Sequence, residues 1–359
     1  MSPLRVSVIN QHPSYAMGGS EVQTSFIANS LTNVGHKVQY VCPTPDGTLN
    51  PGPVGLSYEL ISCTPEAEDI ARSVLAFSPD VAYWRYNRRN SLATVRAIQA
   101  HGVPVVFAAS SIDDLLRWRS PGRRSYRPRG LLALLDHRRN FSTLREAAAV
   151  TVNNPSYVAH APGATYIPNS WHREVQGFSW PRPFVAWVSN LKPPKRPELF
   201  VRLAEELSDL DFDFLLAGRA SVAYTWITDY QGPASLHYVG ELTPDEVSRL
   251  LATAALHVHT CGPEGFPNVF IQSWIQGTPS VSFEFDPAGL ILEQGLGGCA
   301  EGDWSRFVEL VRHYLTDGPA LRAAGHRASV YADREFSETR SLPPLLSLLQ
   351  QLSHPSGPA

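Results

Sequence analysis

The sequence lacks a run of about 18 apolar residues, which is the length that a helix needs to cross a membrane. It also lacks a leader pattern, because MSPLRVSVINQH has no basic stretch followed by a long apolar one and is typical of a strand. Neither charge is in excess, since the net charge is −3. That balance gives no reason to expect nucleic acid as a partner. These absences together predict a cytoplasmic protein.

Cysteine and lysine are scarce. The four cysteines are far apart, and no pair has the CxxC spacing of zinc or redox sites, so we expect reduced, mostly buried thiols. His257 and His259 alternate on one predicted strand, but no third ligand is spaced nearby, and no metal is expected. The chain has only three lysines, Lys37, Lys192 and Lys195.

Strand and helix patterns alternate along the chain. LRVSVIN is a short apolar run typical of a buried parallel strand, and a glycine-rich loop, an amphipathic helix and the strand KVQYVCP follow it. The same alternation restarts after GFSWPRPF, which indicates a second unit. The sequence therefore predicts an α/β fold with domains at 1–178 and 179–334. Residues 335–359 are predicted to form a last helix that returns toward the first domain, and then a polar tail.

The segment CGPEGFPNVFIQSW combines a carboxylate with a predicted helix start. Pro267 is suited to the first position of a helix, where its missing N–H costs nothing. The first N–H groups of a helix favour anions such as a diphosphate. Glu264 just before the helix is suited to accept hydrogen bonds from ligand hydroxyls, and Gln272 lies about one turn inside it. Periodicity alone favours an ordinary α/β loop here.

Several motifs, in the same order, resemble glycosyltransferase family 4, a family of retaining nucleotide-sugar enzymes with the GT-B fold. The likeness extends over most of the chain and is nearest to a subgroup common among bacterial polysaccharide and natural-product enzymes. The segments that carry it are MGGSEVQT, YIPNSW, WVSNLKPPKRPELFVRLAEEL, EGFPNV and GTPSVSFEFDPAGLI. The resemblance implies two Rossmann-like domains whose parallel sheets face each other across a cleft. It implies no cofactor, and a UDP- or GDP-type sugar as the donor.

The resemblance also implies a role for particular residues. Glu264 would contact hydroxyls of the transferred sugar, and Lys195 would be the cation on the diphosphate leaving group. The implied donor-binding residues are Gly18, Gly19, Asn190, Arg196, Arg219, Phe266, Pro267, Asn268, Val269 and Gln272.

The chain departs from the family pattern at two donor positions. The family usually has Arg beside the lysine, in a Gly-Arg-Leu turn, where this chain has Ser189-Asn190-Leu191. Arg196 and Arg219 are the candidates to supply the missing positive charge. The second glutamate of the family pair is Gln272 here, a neutral amide that accepts weaker hydrogen bonds from the ribose. We therefore expect weaker donor binding rather than none.

Candidate acceptor-binding residues lie in the first domain. Arg85 stands at a strand end, His12 lies in the first loop, and Asp113 follows the predicted fourth strand, where many relatives carry a histidine. The alternatives are a structural role for His12 and capping of the following helix by Asp113 and Asp114. Residues 115–140 are rich in arginine and leucine, which indicates either a solvated connection or a patch for the inner membrane face.

The function that the resemblance implies is transfer of a sugar, with retention, to a hydroxyl of a lipid-linked saccharide, a polysaccharide precursor or a natural product. A non-catalytic nucleotide-binding relative is one alternative, supported by Asn190 and Gln272. A nucleotide-sugar epimerase on the same fold is another. A phosphorylase needs a lysine that bears pyridoxal phosphate, and three lysines leave little room for it.

Overall fold

The structure is a computed structural model, and it describes residues 2–49, 55–86, 90–116, 141–174, 176–262 and 265–354. The chain divides into two compact units. The N-terminal unit comprises Met1–Ser170 together with Glu338–Ala359, and the C-terminal unit comprises Trp171–Ser337. The last helix thus belongs to the N-terminal unit.

Within the described ranges, each unit contains one parallel sheet. The sheet of the N-terminal unit has the order β3-β2-β1-β4-β5-β6-β7, and that of the C-terminal unit has the order β10-β9-β8-β11-β12-β13. The strands are β1 Arg5–Ile9, β2 Lys37–Pro43, β3 Glu59–Cys63, β4 Val81–Trp84, β5 Val105–Ala109, β6 Ala149–Val152, β7 Thr165–Tyr166, β8 Phe184–Val188, β9 Asp213–Ala217, β10 Leu236–Gly240, β11 Leu256–His259, β12 Ser280–Ser282 and β13 Gly297–Cys299.

Helices lie in most of the connections between the parallel strands, which have to cross over the sheet. Short 3₁₀ turns at Pro155–His160, Pro193–Lys195, Val222–Ile227 and Pro287–Gly289 occupy some of the loops. The α-helices are α1 Gly19–Asn33, α2 Ala67–Ala76, α3 Ser91–Gln99, α4 Ile112–Leu115, α5 Pro197–Glu206, α6 Pro244–Thr253, α7 Asn268–Ile275, α8 Leu290–Glu293, α9 Trp304–Thr316, α10 Gly318–Glu335 and α11 Glu338–Ser353.

Both faces of each sheet are covered. In β1, Val6 and Val8 belong to one apolar cluster and Ile9 belongs to another, because successive side chains of a strand point to opposite faces. Leu345 and Leu349 of α11 join the cluster that contains Val6 and Val8. The sheets therefore have the doubly covered α/β arrangement that the alternating pattern predicts, and ligands of such sheets bind at the carboxyl ends of the strands.

Local signals in the sequence correspond to the observed helix ends. The Thr243 side chain accepts from the N–H of Glu246, and the Glu246 carboxylate accepts from the N–H of Thr243, so the predicted capping box before α6 is confirmed. Gly277 follows α7 with φ of +83°, the left-handed conformation that ends helices. Among the described residues, no helix is both long and apolar enough to span a bilayer.

Candidate active site

The loop after β8 carries Lys195 and lies against the loop after β11. The Thr260 hydroxyl donates to the backbone carbonyl of Lys195 over 2.8 Å. The N–H of Gly262 donates to the carbonyl of Pro194 over 3.4 Å. Both loops leave the carboxyl ends of neighbouring strands in the C-terminal sheet. The structure therefore brings the half-buried Lys195 beside the segment that leads to α7.

Arg196 follows Lys195 and is fixed by its own contacts. Its backbone is left-handed, with φ of +49°, and Pro197 then begins α5. One terminal nitrogen lies 2.7 Å from a carboxylate oxygen of Glu284, and the guanidinium lies 5.2 Å from the centre of the Phe283 ring. Its Nε atom is buried and has no hydrogen-bond partner among the described residues. Part of its charge is thus already paired with Glu284.

The turn at Ser189-Asn190-Leu191 passes close to the end of β9. Leu191 donates its N–H to the carbonyl of Arg219 over 2.9 Å. A Cβ atom on Gly218, whose φ is +142°, would overlap the carbonyl of Ser189. Asn190 is half-buried and the Arg219 side chain is exposed. The turn and the end of β9 are therefore in direct contact, as two neighbouring loops at one sheet edge should be.

Helix α7 begins one residue later than the sequence predicts. Pro267 is the N-cap, with φ of −63° and ψ of +127°, and the helix starts at Asn268. The extended ψ of Pro267 corrects the prediction of this proline at the first helical position. Phe266 is buried against Trp274, and Gln272 is only 6% exposed.

The half-buried Val269 packs at the rim of an apolar cluster in the same unit. Glu264 lies outside the described residues.

In the N-terminal unit, the glycine pair stands at the start of α1. Gly18 is the N-cap and Gly19 the first helical residue. A Cβ atom on Gly18 would meet only the end of the flexible Glu21 side chain, and the φ of −153° is open to any residue, so the local geometry does not require glycine. The Asn10 amide, one residue after β1, donates to the Ser20 hydroxyl over 3.2 Å and joins the loop to the helix.

The candidate acceptor residues have different surroundings. Arg85 is 6% exposed and follows β4. Asp113 is half-buried, and the capping box at α4 uses Ser111 and Asp114, so the predicted capping is confirmed for Asp114. His12 is 4% exposed, and its ring nitrogens lie 2.7 Å from the Ser14 hydroxyl and 2.9 Å from the Tyr58 hydroxyl. Both nitrogens of His12 are therefore occupied within the unit.

The burial of His12 predicts a loss of stability in acid. Desolvation lowers the pKa of His12 from 6.5 to about 4, so the unfolded chain binds this proton more readily than the folded one. The stability contribution of the neutral His12 ring is therefore fully present above pH 6.5 and is lost as the pH falls toward 4, by about 1–2 kcal/mol in free energy of unfolding after allowance for solvent screening. Urea unfolding at pH 7 and pH 4.5 measures it. His12→Gln should flatten this dependence, whereas His160→Gln, at an exposed position, should not. Equal slopes in both variants would contradict the assignment.

Histidines also occur in the interior of the C-terminal sheet. His257 is fully buried, its Nδ1 lies 2.9 Å from the Ser280 hydroxyl, and burial lowers its pKa well below the ordinary value. Within the described ranges, no group of three or more His, Cys, Asp or Glu side chains is arranged to hold a metal ion. His257 packs against the ring of Phe270, with 5.3 Å between the ring centres.

The sequence interpretation missed three residues that position these groups. They are Thr260, which holds the Lys195 carbonyl, Glu284, which pairs with Arg196, and Asn169, whose side-chain oxygen lies 3.4 Å from a terminal nitrogen of Arg85. Thr260 directly follows β11, and Glu284 follows β12 by two residues. Because ligands of parallel sheets bind at the carboxyl ends of the strands, the positions of Thr260 and Glu284 just after predicted strands could have identified both as candidates. No local pattern marks Asn169.

Comparison with known proteins supports the interpretation of the C-terminal unit. The family model described as glycosyl transferases group 1 matches residues 171–330, which is most of that unit. No curated protein matches the chain.

Solved structures similar to the whole chain include sucrose-phosphate synthase from Thermosynechococcus elongatus, at 15% identity and a TM-score of 0.75, covering 97% of this chain and 99% of the other. Anabaena HepE in complex with UDP-glucose has 15% identity and a TM-score of 0.72, covering 97% and 100%. A glycosyltransferase from Rickettsia africae has 12% identity and a TM-score of 0.72, covering 99% and 100%. The chain therefore has the GT-B fold of two Rossmann-like domains, and its C-terminal unit matches the group 1 glycosyl transferase model.

Proposed function

We propose that this chain is a retaining glycosyltransferase that moves a sugar from a nucleotide-diphosphate sugar to an acceptor hydroxyl. The observation that carries the proposal is the match of residues 171–330 to the glycosyl transferase model. The same unit holds the Lys195 loop against the segment leading to α7. A UDP- or GDP-type sugar is the proposed donor. The neighbour HepE was solved with UDP-glucose, which makes that donor the first to test.

The proposed chemistry uses the charge distribution at this sheet edge. The bond between the anomeric carbon and the β-phosphate oxygen breaks, and negative charge develops on the leaving diphosphate. Lys195 and the N-terminus of α7 stabilise that charge. The acceptor oxygen bonds to the same face of the anomeric carbon, and its proton passes to the leaving phosphate. Glu264, outside the described residues, holds hydroxyls of the transferred sugar in this scheme.

Gln272 offers a test of nucleotide binding. A hydrogen bond to a charged acceptor is worth about 1 kcal/mol more than one to a neutral acceptor, so Gln272→Glu should keep or tighten UDP affinity by up to about fivefold. Isothermal titration with UDP measures this. Because Gln272 is only 6% exposed, the variant should also be less stable without ligand. A loss of UDP affinity at unchanged ligand-free stability would contradict a ribose-binding role for position 272.

The experiment that tests the proposed function is a thermal-shift screen followed by a turnover assay. A ligand that binds the native state raises its melting temperature, so nucleotide diphosphates and their sugars should do so. Transfer or slow hydrolysis of the shifting donor should then follow. Binding without turnover would indicate a non-catalytic relative, and isomerised donor without acceptor would indicate an epimerase.

The acceptor hydroxyl is proposed to belong to a lipid-linked saccharide, a polysaccharide precursor or a natural product. The arginine- and leucine-rich stretch at 115–140 suggests the lipid-linked class and a peripheral position at the inner membrane face. Of that stretch, 117–140 lies outside the described residues. Liposome binding before and after replacement of Arg123, Arg124, Arg127 and Arg129 by serine separates the alternatives, because unchanged binding would remove the support for a membrane acceptor.

A further inference from the structure

Arg85 is a buried cation with few partners. Its side chain lies at the carboxyl end of β4 and is 6% exposed. Its backbone N–H donates to the carbonyl of Ile9 over 2.9 Å. Its guanidinium makes one long hydrogen bond, from Nη2 to the side-chain oxygen of Asn169 over 3.4 Å, and Nε is buried without a partner among the described residues. Of the five N–H donors of this guanidinium, the described residues accept a hydrogen bond from one.

No carboxylate of the described residues pairs with Arg85. Glu21, in the first turn of α1, and Arg85 are charged residues that both act on Tyr40. Burial raises the pKa of Tyr40 well above its usual value, Glu21 raises it further, and Arg85 opposes both. Burying the positive charge of Arg85 without a carboxylate partner among the described residues lowers the stability of the folded chain.

The position of Arg85 is that of a ligand-binding group. Ile9 pairs with Trp84 in the parallel ladder, so Asn10 and Arg85 lie side by side just past β1 and β4. Asn10 also holds the start of α1 through hydrogen bonds to Ser20 and Thr24. The N-terminus of this fifteen-residue helix adds a partial positive charge to the same sheet edge.

A second polar group at this edge is also unsatisfied. Asn153 directly follows β6 and is 5% exposed, and its side-chain oxygen is buried without a hydrogen-bond partner among the described residues. Buried polar atoms in proteins are nearly always paired. An unused donor at Arg85 and an unused acceptor at Asn153 together match a ligand that carries both an oxyanion and hydroxyl groups.

We propose that the carboxyl edge of the N-terminal sheet binds an oxyanion of the acceptor substrate, a phosphate or a carboxylate, and that Arg85 is the residue that binds it. A planar guanidinium forms paired hydrogen bonds with both groups. This inference rests on the proposed function only in calling the ligand the acceptor, because oxyanion binding itself is measurable without any donor. The acceptor is then an acidic saccharide, such as a sugar phosphate or a phosphate-linked lipid saccharide, rather than a neutral one.

The test compares Arg85→Met with Arg72→Met, whose parent arginine is exposed in the same unit. Inorganic phosphate, glucose 6-phosphate and glucuronate should raise the melting temperature of the wild-type chain and of Arg72→Met, whereas glucose should not. Arg85→Met should weaken binding of the anions by about tenfold or more. Arg85→Lys should keep part of it. Vesicles of phosphatidylcholine with and without a polyprenyl phosphate distinguish a lipid source from a soluble one.

The ligand-free protein distinguishes a binding role of Arg85 from a structural one. If Arg85 binds the ligand, removing its unpaired buried charge should leave the melting temperature of Arg85→Met unchanged or higher. If Arg85 is structural, the melting temperature should fall. A large drop in melting temperature in both Arg85→Met and Arg85→Lys would overturn the proposal, as would anion binding that is equal in Arg85→Met and wild type. Absence of any anion effect on the wild type would overturn it as well.

Titration of the same variants with UDP separates this proposal from the proposed donor site. If UDP shifts every variant equally while phosphate depends on Arg85, both sites stand. If phosphate binding depends on Arg85 and UDP binds none of the variants, the anion site stands and the donor assignment fails. If UDP binds and phosphate does not, the anion site fails and the donor assignment stands.

Discussion

Lys195→Ala should lower the turnover rate at saturating donor by about 10²–10³-fold, which is the usual cost of removing one preorganised group that stabilises developing charge. The expectation follows from where the side chain starts. Its backbone carbonyl is held by the Thr260 hydroxyl, and the next residue has a fixed left-handed backbone. In the proposed mechanism, Lys195 acts on the leaving diphosphate from a backbone that is already fixed in the loop after β8.

Lys192 supplies the matched control for Lys195. It belongs to the same loop, three residues earlier, and is exposed. Lys192→Ala should leave turnover within about threefold of wild type, because an exposed charge is screened by solvent. Steady-state turnover of the donor that shifts the melting temperature is the measurement. Equal losses in the two variants, or full activity of Lys195→Ala, would remove Lys195 from the catalytic role.

Gly218→Ala should prevent correct folding of the C-terminal unit, or lower its free energy of unfolding by more than about 4 kcal/mol. The Cβ atom of alanine would overlap the backbone carbonyl of Ser189, and φ of +142° is itself unfavourable for a residue with a side chain. Backbone atoms at the ends of two packed strands have no room to yield. Because this contact supports the turn at Asn190, nucleotide binding should be lost together with stability.

Gly302→Ala is the control for backbone strain alone. Gly302 has φ of +90°, but a Cβ atom there would meet nothing within 4 Å. Its replacement should cost about 1–2 kcal/mol. The soluble yield and the urea unfolding of Gly218→Ala and Gly302→Ala should be measured side by side. The difference between them gives the effect of the steric clash beyond that of backbone strain. Similar stabilities would mean that the approach of Gly218 to Ser189 is unimportant for the fold.

The alternation of strands and helices and the chemistry of the turns were sufficient to predict an α/β fold with parallel sheets. The capping box at Thr243 and the stop at Gly277 depend only on neighbouring residues, so local patterns identify them. The resemblance supplied the GT-B architecture, which the comparisons confirm. The exact start of α7 was wrong by one residue, because the backbone of Pro267 takes an extended ψ that its ring does not forbid.

The side-chain contacts of the candidate residues could not be predicted from the sequence. The pairing of Arg196 with Glu284 joins residues 88 positions apart, and that of Arg85 with Asn169 joins residues 84 apart. Such contacts depend on how loops of different strands meet, and no periodicity records them. The burial of individual side chains could not be predicted from the sequence for the same reason. His12 was considered as a residue facing a ligand, yet both of its ring nitrogens are occupied inside the N-terminal unit.

Retaining sugar transfer is tested most directly by the configuration of the donor's anomeric carbon in the first product. The full chain is incubated with α-linked UDP-glucose or the corresponding GDP-sugar, and proton NMR of the reaction mixture records the anomeric configuration of the first product. That product is either a glycoside or the free sugar released by slow hydrolysis. We expect the α configuration to appear first. A β product would contradict retention, and a nucleotide that binds while its sugar is never released would contradict the assignment of this chain as a glycosyltransferase.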